Sequence, residues 1–256
     1  MEQNIHKYLD FCCEAGRYMI KNGAEMYRVE EAATRILLAY GFEKPEIFAI
    51  PACIIIGVEF KGQNYTKSVR IHDAGKNLDK LDRLNALCRR VCTETPDIDQ
   101  ALEDLRHIIS APKYPVWISY LGYGCVAMFF TLLFGGRLFD ALVASVCGMT
   151  IKPVSSKLAS RKVNIFFTNM FSCMLLVLIP MLMQVCGLSV QIDRVVIGSI
   201  MLLVPGLALT NVMRDVIVGD FLTAVSKLAE VLIVALALAL GISFAYSVTA
   251  FLFGVV

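Results

Sequence analysis

Toward the carboxyl-terminal end, five ionisable side chains interrupt long apolar runs: Arg214, Asp215, Asp220, Lys227 and Glu230. On a helix, Asn211, Arg214 and Asp215 share one face, because residues three and four apart are neighbours. Asp220, Thr223, Lys227 and Glu230 repeat that spacing and form a second polar stripe. Glu230 directly precedes an uninterrupted apolar tract, so it lies at or inside the hydrocarbon boundary. An ionised group there is expensive unless it is paired or faces an aqueous cavity. Lys227 is its nearest partner in sequence. Such groups suit the passage of small charged solutes. Arg214 can attract a carboxylate, and Glu230 can carry a proton, since desolvation raises its proton affinity while Lys227 opposes the rise. The plainer reading makes them interface anchors, with Lys227 snorkelling and Glu230 in a local ion pair.

Just before this cluster, Pro205 and Gly206 stand inside an apolar run, Val195–Met213, that carries no charge. Proline removes a backbone donor and its ring disturbs the preceding turn, so a carbonyl near Met201 or Leu202 loses its usual partner. Broken membrane helices offer such groups to substrates; a packing kink with no role in transport is the alternative. Two weaker constellations stand elsewhere. Gly135-Gly136-Arg137 with Asp140 lines a vestibule or, more simply, makes a tight turn between helices. Glu25, Arg28 and Glu30 begin an amphipathic helix and read first as a solvated or salt-bridging face. His6, His72 and His107 are far apart and have no metal-ligand spacing. The sequence holds no P-loop, no dinucleotide fingerprint and no nucleophile motif, so no cofactor, metal or catalytic residue is expected.

Composition explains what must position these residues. Of 256 residues 57% are apolar and 18% charged, below the quarter usual in soluble domains; mean hydropathy is +0.65. The deficit is local: 33 of the 46 charges lie in residues 1–113 and 13 in the remaining 143. An α+β cytoplasmic domain (1–113) is therefore expected ahead of a polytopic α-helical membrane domain (114–256) of about five transmembrane helices. In the first part, two amphipathic helices separated by Asn22-Gly23 precede strands near 47–50, 53–60 and 65–71, with Lys61–Asn64 as a turn. Tyr65, Lys67, Val69 and Ile71 share one face of the last strand. Helices near 78–92 and 97–109 follow, Thr95-Pro96 supplying an N-cap and a proline at N1.

In the second part, hydrophobic segments cover 114–134, 139–156, 163–192, 195–213 and 231 onward. All but the second pass the length test; the second carries Asp140 and Lys152. Lys152, Lys157, Arg161 and Lys162 cluster between the second and third segments, which places that loop inside. With the charged first part also inside, five crossings put the carboxyl terminus outside; the run 163–192 and the 36 residues from Phe221 onward are long for one crossing each, so an even count of four or six is the alternative. The first thirty residues carry nine charges and no long apolar run, so no signal peptide is expected. Interleaved charges of both signs exclude a nucleic-acid surface. The nine cysteines form no C-x-x-C pair and sit mostly in apolar surroundings, which reads as small hydrophobes in a reducing or lipid setting.

Three blocks together resemble the threonine/serine exporter family, specifically its long amino-terminal component. They are Gly23-Ala24-Glu25-Met26-Tyr27-Arg28-Val29-Glu30 with Gly41; Arg70 before the 78–85 helix, with Phe134-Gly135-Gly136 and Asp140; and Pro205-Gly206, Asn211, Arg214-Asp215, Gly219-Asp220 and Glu230. Lys227 stands where the family pattern has arginine, keeping the charge without the guanidinium fork. The resemblance implies a bacterial plasma-membrane secondary exporter of small hydrophilic metabolites, threonine/serine-like amino acids or succinate-like dicarboxylates, and not an enzyme. Some members fuse a second hydrophobic domain. Others are split and work with a separate small membrane subunit, as in succinate export, and this chain resembles the split form. Such a small hydrophobic subunit is the expected partner, with homo-oligomers a further expectation. A membrane-bound metabolite sensor and a membrane hydrolase using Glu25 or Glu30 are the competing classes.

Overall fold

The computed structural model describes residues 2–71, 75, 77–112 and 114–254. His72 and the expected extracytoplasmic end at Val256 lie outside the described residues. The chain forms two compact units: Met1–Pro112 with Ile217–Ser226, and Lys113–Val216 with Lys227–Val256.

In the first unit, helices α1 (Glu2–Lys21) and α2 (Met26–Ala39) precede an antiparallel sheet of β1 (Glu43–Ile50), β2 (Cys53–Phe60) and β3 (Gln63–Arg70), in the order β1-β2-β3. Helices α3 (Leu78–Glu94) and α4 (Ile98–Ser110) complete it. Apolar residues at helical spacing bury Leu9, Cys12, Met19, Val29, Ala33, Ile36 and Leu37 together with Ala49, Ile54, Ile56 and Val58 from alternate sheet positions. Gly16 is where α1 meets the sheet: a Cβ there would lie 2.9 Å from the Ile54 side chain.

The sequence pattern and the structure differ in three details here. The turn between β2 and β3 is only Lys61-Gly62, because both take positive φ (53° and 75°) and Phe60 pairs directly with Gln63; such a two-residue turn matches the strand twist. β1 begins four residues earlier than the β-branched run. Its register shifts between Glu43 and Glu46, around Pro45, which has no N–H for the ladder. Thr95 does not cap α4. It closes α3 in the left-handed region (φ 42°), and Asp97 caps α4 by accepting from the Asp99 N–H at 3.1 Å. The face assignment in β3 agrees with the structure: Tyr65, Lys67 and Val69 are half-buried and Ile71 is buried, while the residues between them are exposed.

The second unit holds α5 (Val116–Leu133), α6 (Leu138–Ser160), α7 (Ile165–Val185), α8 (Ile192–Ile200), α9 (Gly206–Val218) and, from Lys227 onward, α10 (Phe221–Phe253). Among the described residues, four helices are long and apolar enough to cross a membrane: α5, α6, α7 and α10. The length test read from the sequence is thereby inverted for two segments. The second segment is a continuous 23-residue helix. It tolerates Asp140 because that carboxylate caps its first turn, and Lys152 because its ammonium lies 4.8 Å from the centre of the Tyr123 ring. The fourth segment is not one helix. Residues 201–205 form a turn between α8 and α9, so neither piece reaches a spanning length. The third ends at Val185, earlier than the apolar run, with Gly187 at φ 87° past its end.

Close helix contacts in this unit fall on glycines. A Cβ on Gly148 would lie 2.5 Å from the Tyr123 carbonyl, and one on Gly241 would lie 2.5 Å from that of Met170. Without a hydrophobic drive between helices in lipid, such close backbone approach supplies much of the packing.

Candidate functional site

The break after α8 has a specific hydrogen-bond pattern. Leu202 N–H donates to the Ser199 carbonyl, Leu203 and Val204 N–H both donate to that of Ile200, and Gly206 N–H turns back onto that of Val204 at 2.9 Å. Pro205 has no N–H to offer. Among the described residues, no backbone or side-chain donor reaches the carbonyls of Met201, Leu202 or Leu203. The break falls midway along the uncharged stretch 195–213.

Helix α9 then carries the polar cluster. Asp215 is buried (3% exposed) and accepts from Lys227 Nζ at 2.9 Å; the lysine side chain is 15% exposed. Lys227 therefore pairs across the α9–α10 connection with Asp215 and not, as sequence proximity suggests, with Glu230. Lys227 and Glu230 share a stripe of α10, so what differs is burial: Asp215 is 3% exposed, whereas Glu230 is exposed. Arg214 is exposed and Asn211 half-buried, beside the buried Val212 and Asp215. Gly206 opens α9 with nothing within 4 Å of a Cβ position.

Asp220 belongs to the first unit. Its Oδ1 accepts from Thr223 N–H at 3.1 Å, which caps the start of α10. Its negative charge also acts on Glu30. Burial raises the Glu30 carboxyl above its usual value; a hydrogen bond from Ala49 N–H, at 2.8 Å, opposes this, and Asp220 adds to the rise. Glu30 thus ties α2 to β1. Glu25 lies 2.6 Å from the Arg28 guanidinium, an i,i+3 pair on the same helix start. These three residues are used inside their own domain.

Asp140 has a defined structural role. One carboxylate oxygen accepts from Arg137 N–H and the other from Gln191 N–H, both at 2.9 Å, so a fully buried group pins the start of α6 to the start of α8. The Arg137 side chain is exposed; it is Arg194 that donates to the Phe134 carbonyl, at 2.6 Å.

No group of His, Cys, Asp and Glu able to hold a metal occurs among the described residues. Burial pushes the Cys13 and Cys88 thiols up to about 12, which keeps them protonated and unreactive.

Three hydroxyl-bearing residues escaped the sequence reading. Among the described residues, the hydroxyls of Thr168 and Ser172 on α7 and Ser199 on α8 are buried with no hydrogen-bond partner, as is Gln191 Oε1 before α8. The available signal was weak: hydroxyls four residues apart in an apolar run are usually absorbed by the preceding turn.

Comparison with known proteins places this arrangement in context. The family described as "Putative threonine/serine exporter" matches residues 10–249. The "Probable succinate transporter subunit YjjP" of Escherichia coli (strain K12) is 24% identical over 242 residues, covering 93% of each chain. Its namesake in Klebsiella aerogenes is 22% identical, covering 90% of each. The "Probable threonine/serine exporter" of Mycobacterium tuberculosis is 23% identical over 244 residues, which are 93% of this chain but 46% of that protein. No solved structure matches.

Proposed function

This chain belongs to the threonine/serine exporter family, and from that premise we propose that it is the larger component of a two-part secondary exporter. The cargo is a small hydrophilic metabolite, a threonine/serine-like amino acid or a succinate-like dicarboxylate, and a separate small hydrophobic membrane subunit completes the pathway. The likeness to a relative named as a transporter subunit, over 93% of each chain, supports the two-part reading.

The observation that carries the proposal is the broken α8–α9 segment followed by the Asp215–Lys227 pair. Interrupted helices expose backbone groups where a solute can use them, and an intramembrane ion pair marks a polar route by default. The two pieces have 9 and 13 residues. At about 1.5 Å per residue their helical length is roughly 33 Å, enough for the ~30 Å hydrocarbon core. Together they make a fifth crossing. An odd number of crossings puts the two ends on opposite sides, and the basic cluster 152–162 supports the amino-terminal domain as the cytoplasmic one and the carboxyl terminus as the outer one. Arg214 attracts the substrate carboxylate, while Glu230, with Asn211, Asp215, Asp220 and Lys227, supplies polar contacts and proton-linked charge compensation.

The test is metabolite efflux from cells expressing the chain with and without its nearest co-encoded small membrane protein. Efflux is expected only with both. Glu230→Gln should lower the rate with normal membrane insertion, and Arg214→Lys should do so if fork geometry matters. If Glu230→Gln, Arg214→Lys, Asp215→Asn and Asp220→Asn all leave the rate and its pH dependence unchanged in the assembled complex, these groups are anchors and the pathway lies elsewhere.

A further inference from the structure

Buried hydroxyls on membrane helices normally donate to a carbonyl three or four residues earlier, because hydrocarbon offers no other partner. Two in this unit do so: Thr131 donates to the Ala127 carbonyl at 2.9 Å, and Thr249 to that of Ala245 at 2.7 Å. Thr168, Ser172 and Ser199 do not. They are 9%, 1% and 0% exposed, and no partner among the described residues meets any of the three hydroxyl oxygens. A buried polar group left without a partner costs about 1–3 kcal/mol, so three such hydroxyls in one unit require a physical reason.

Their placement supplies one. Thr168 and Ser172 are one turn apart on the same side of α7. Cys173, next to Ser172, belongs to a buried cluster against which Ile200 and Leu203 pack. Ser199 precedes Ile200, and Leu203 is one of the three residues whose carbonyls receive no donor. Ser172 and Ser199 are thus each the sequence neighbour of a residue at that one seam, Cys173 of α7 and Ile200 of α8, and Thr168 lies one turn of α7 before Ser172.

We propose that this seam is a substrate subsite: Thr168, Ser172 and Ser199, with the free carbonyls of Met201, Leu202 and Leu203, receive a hydrogen-bond-donating head group of the exported metabolite. Carbonyl oxygens only accept, and hydroxyl oxygens both accept and donate. A set so rich in acceptors repels an ionised carboxylate and favours a group that brings its own protons. Two head groups have this chemistry, the ammonium of an amino acid and the protonated carboxyl of a dicarboxylic acid. The second would carry a proton through with the substrate. The subsite rests on the transport reading above and adds to it a location away from the charged cluster on α9 and α10.

The experiment uses the full chain assembled with its small subunit in vesicles, with threonine and succinate as probes. Thr168→Val, Ser172→Ala and Ser199→Ala are made singly and together. Because these hydroxyls bond to none of the described residues, their removal should leave the melting temperature unchanged or raised. The triple variant should raise the KM of the transported probe at least tenfold. An ammonium head predicts a KM for threonine that is flat between pH 5 and 7.5. A protonated carboxyl head predicts a KM for succinate that climbs as pH rises through the same range. A triple variant with wild-type KM for the transported probe overturns the subsite, as does one whose only defect is a lowered melting temperature. If KM is unchanged while Glu230→Gln still lowers efflux, the subsite falls and the transport reading stands.

Discussion

Lys227 Nζ donates to Asp215 Oδ2 at 2.9 Å, joining the polar turns on either side of the α9–α10 connection through a pair that is almost out of solvent. In such a position the partners matter chiefly through what each does to the other. Desolvating either charge alone is costly, and their attraction in a low-dielectric setting only offsets that cost.

Removing one partner should therefore be worse than removing both. Lys227→Met is expected to destabilise the chain by about 3–5 kcal/mol, as for other broken buried pairs, whereas Asp215→Asn with Lys227→Met should recover most of the loss. Lys227→Arg keeps the charge and should keep the fold. Thermal unfolding of the four proteins in lipid discs forms the double-mutant cycle. Additive losses would show that the pair is not coupled.

Gly198 and Gly206 should respond in opposite ways to the same substitution. A Cβ on Gly198 would lie 2.1 Å from Thr131 Oγ1 and 2.5 Å from Thr131 N, so α8 would have to leave α5. Gly198→Ala should cost about 1–3 kcal/mol or more. Gly206 has no neighbour within 4 Å of that position, and Ala is the better helix former by up to ~1 kcal/mol. Gly206→Ala should melt no lower than wild type, and a fall in efflux with an unchanged melting temperature would assign that glycine a role in transport.

Glu30 makes stability pH-dependent in a stated direction. Its folded carboxyl titrates above the usual 4.5, first through burial, with Asp220 adding to the rise and the Ala49 N–H opposing it. The folded state therefore holds a proton that the unfolded chain releases sooner. This contribution is fully present below the unfolded value and is lost as pH rises through the folded one. Glu30→Gln retains an oxygen for the Ala49 N–H and should flatten that part of the curve, measured as melting temperature from pH 4 to 7 for the full chain.

Topology is open to direct labelling. In a cysteine-free background, Asn64→Cys on the exposed β2–β3 hairpin should resist an impermeant maleimide in intact cells, and a cysteine added at the carboxyl terminus should react. Protection of both ends would require an even number of crossings and would remove α8–α9 as a fifth.

The sequence by itself determined the division into a charged α+β part and an apolar helical part. Burial of apolar side chains follows period and composition, and both are written locally. That is why the stripe of α1 and α2, the alternation in β3 and the positions of α5, α6, α7 and α10 were all legible. Helix punctuation was legible only in part. Pro205 announced a disturbance, but whether a proline bends a helix or divides it depends on where the freed carbonyls go and on what packs beside them. Asp140 looked like an obstacle to a membrane helix until its two backbone donors, one 51 residues away in sequence, were in place. Partner choice belonged wholly to the tertiary structure. Lys227 is three residues from Glu230 and twelve from Asp215, yet it pairs with the buried Asp215. The same holds for Thr168, Ser172 and Ser199. A hydroxyl in an apolar run carries no mark of whether its hydrogen bond is met at home, and only the packed helices show that theirs are not.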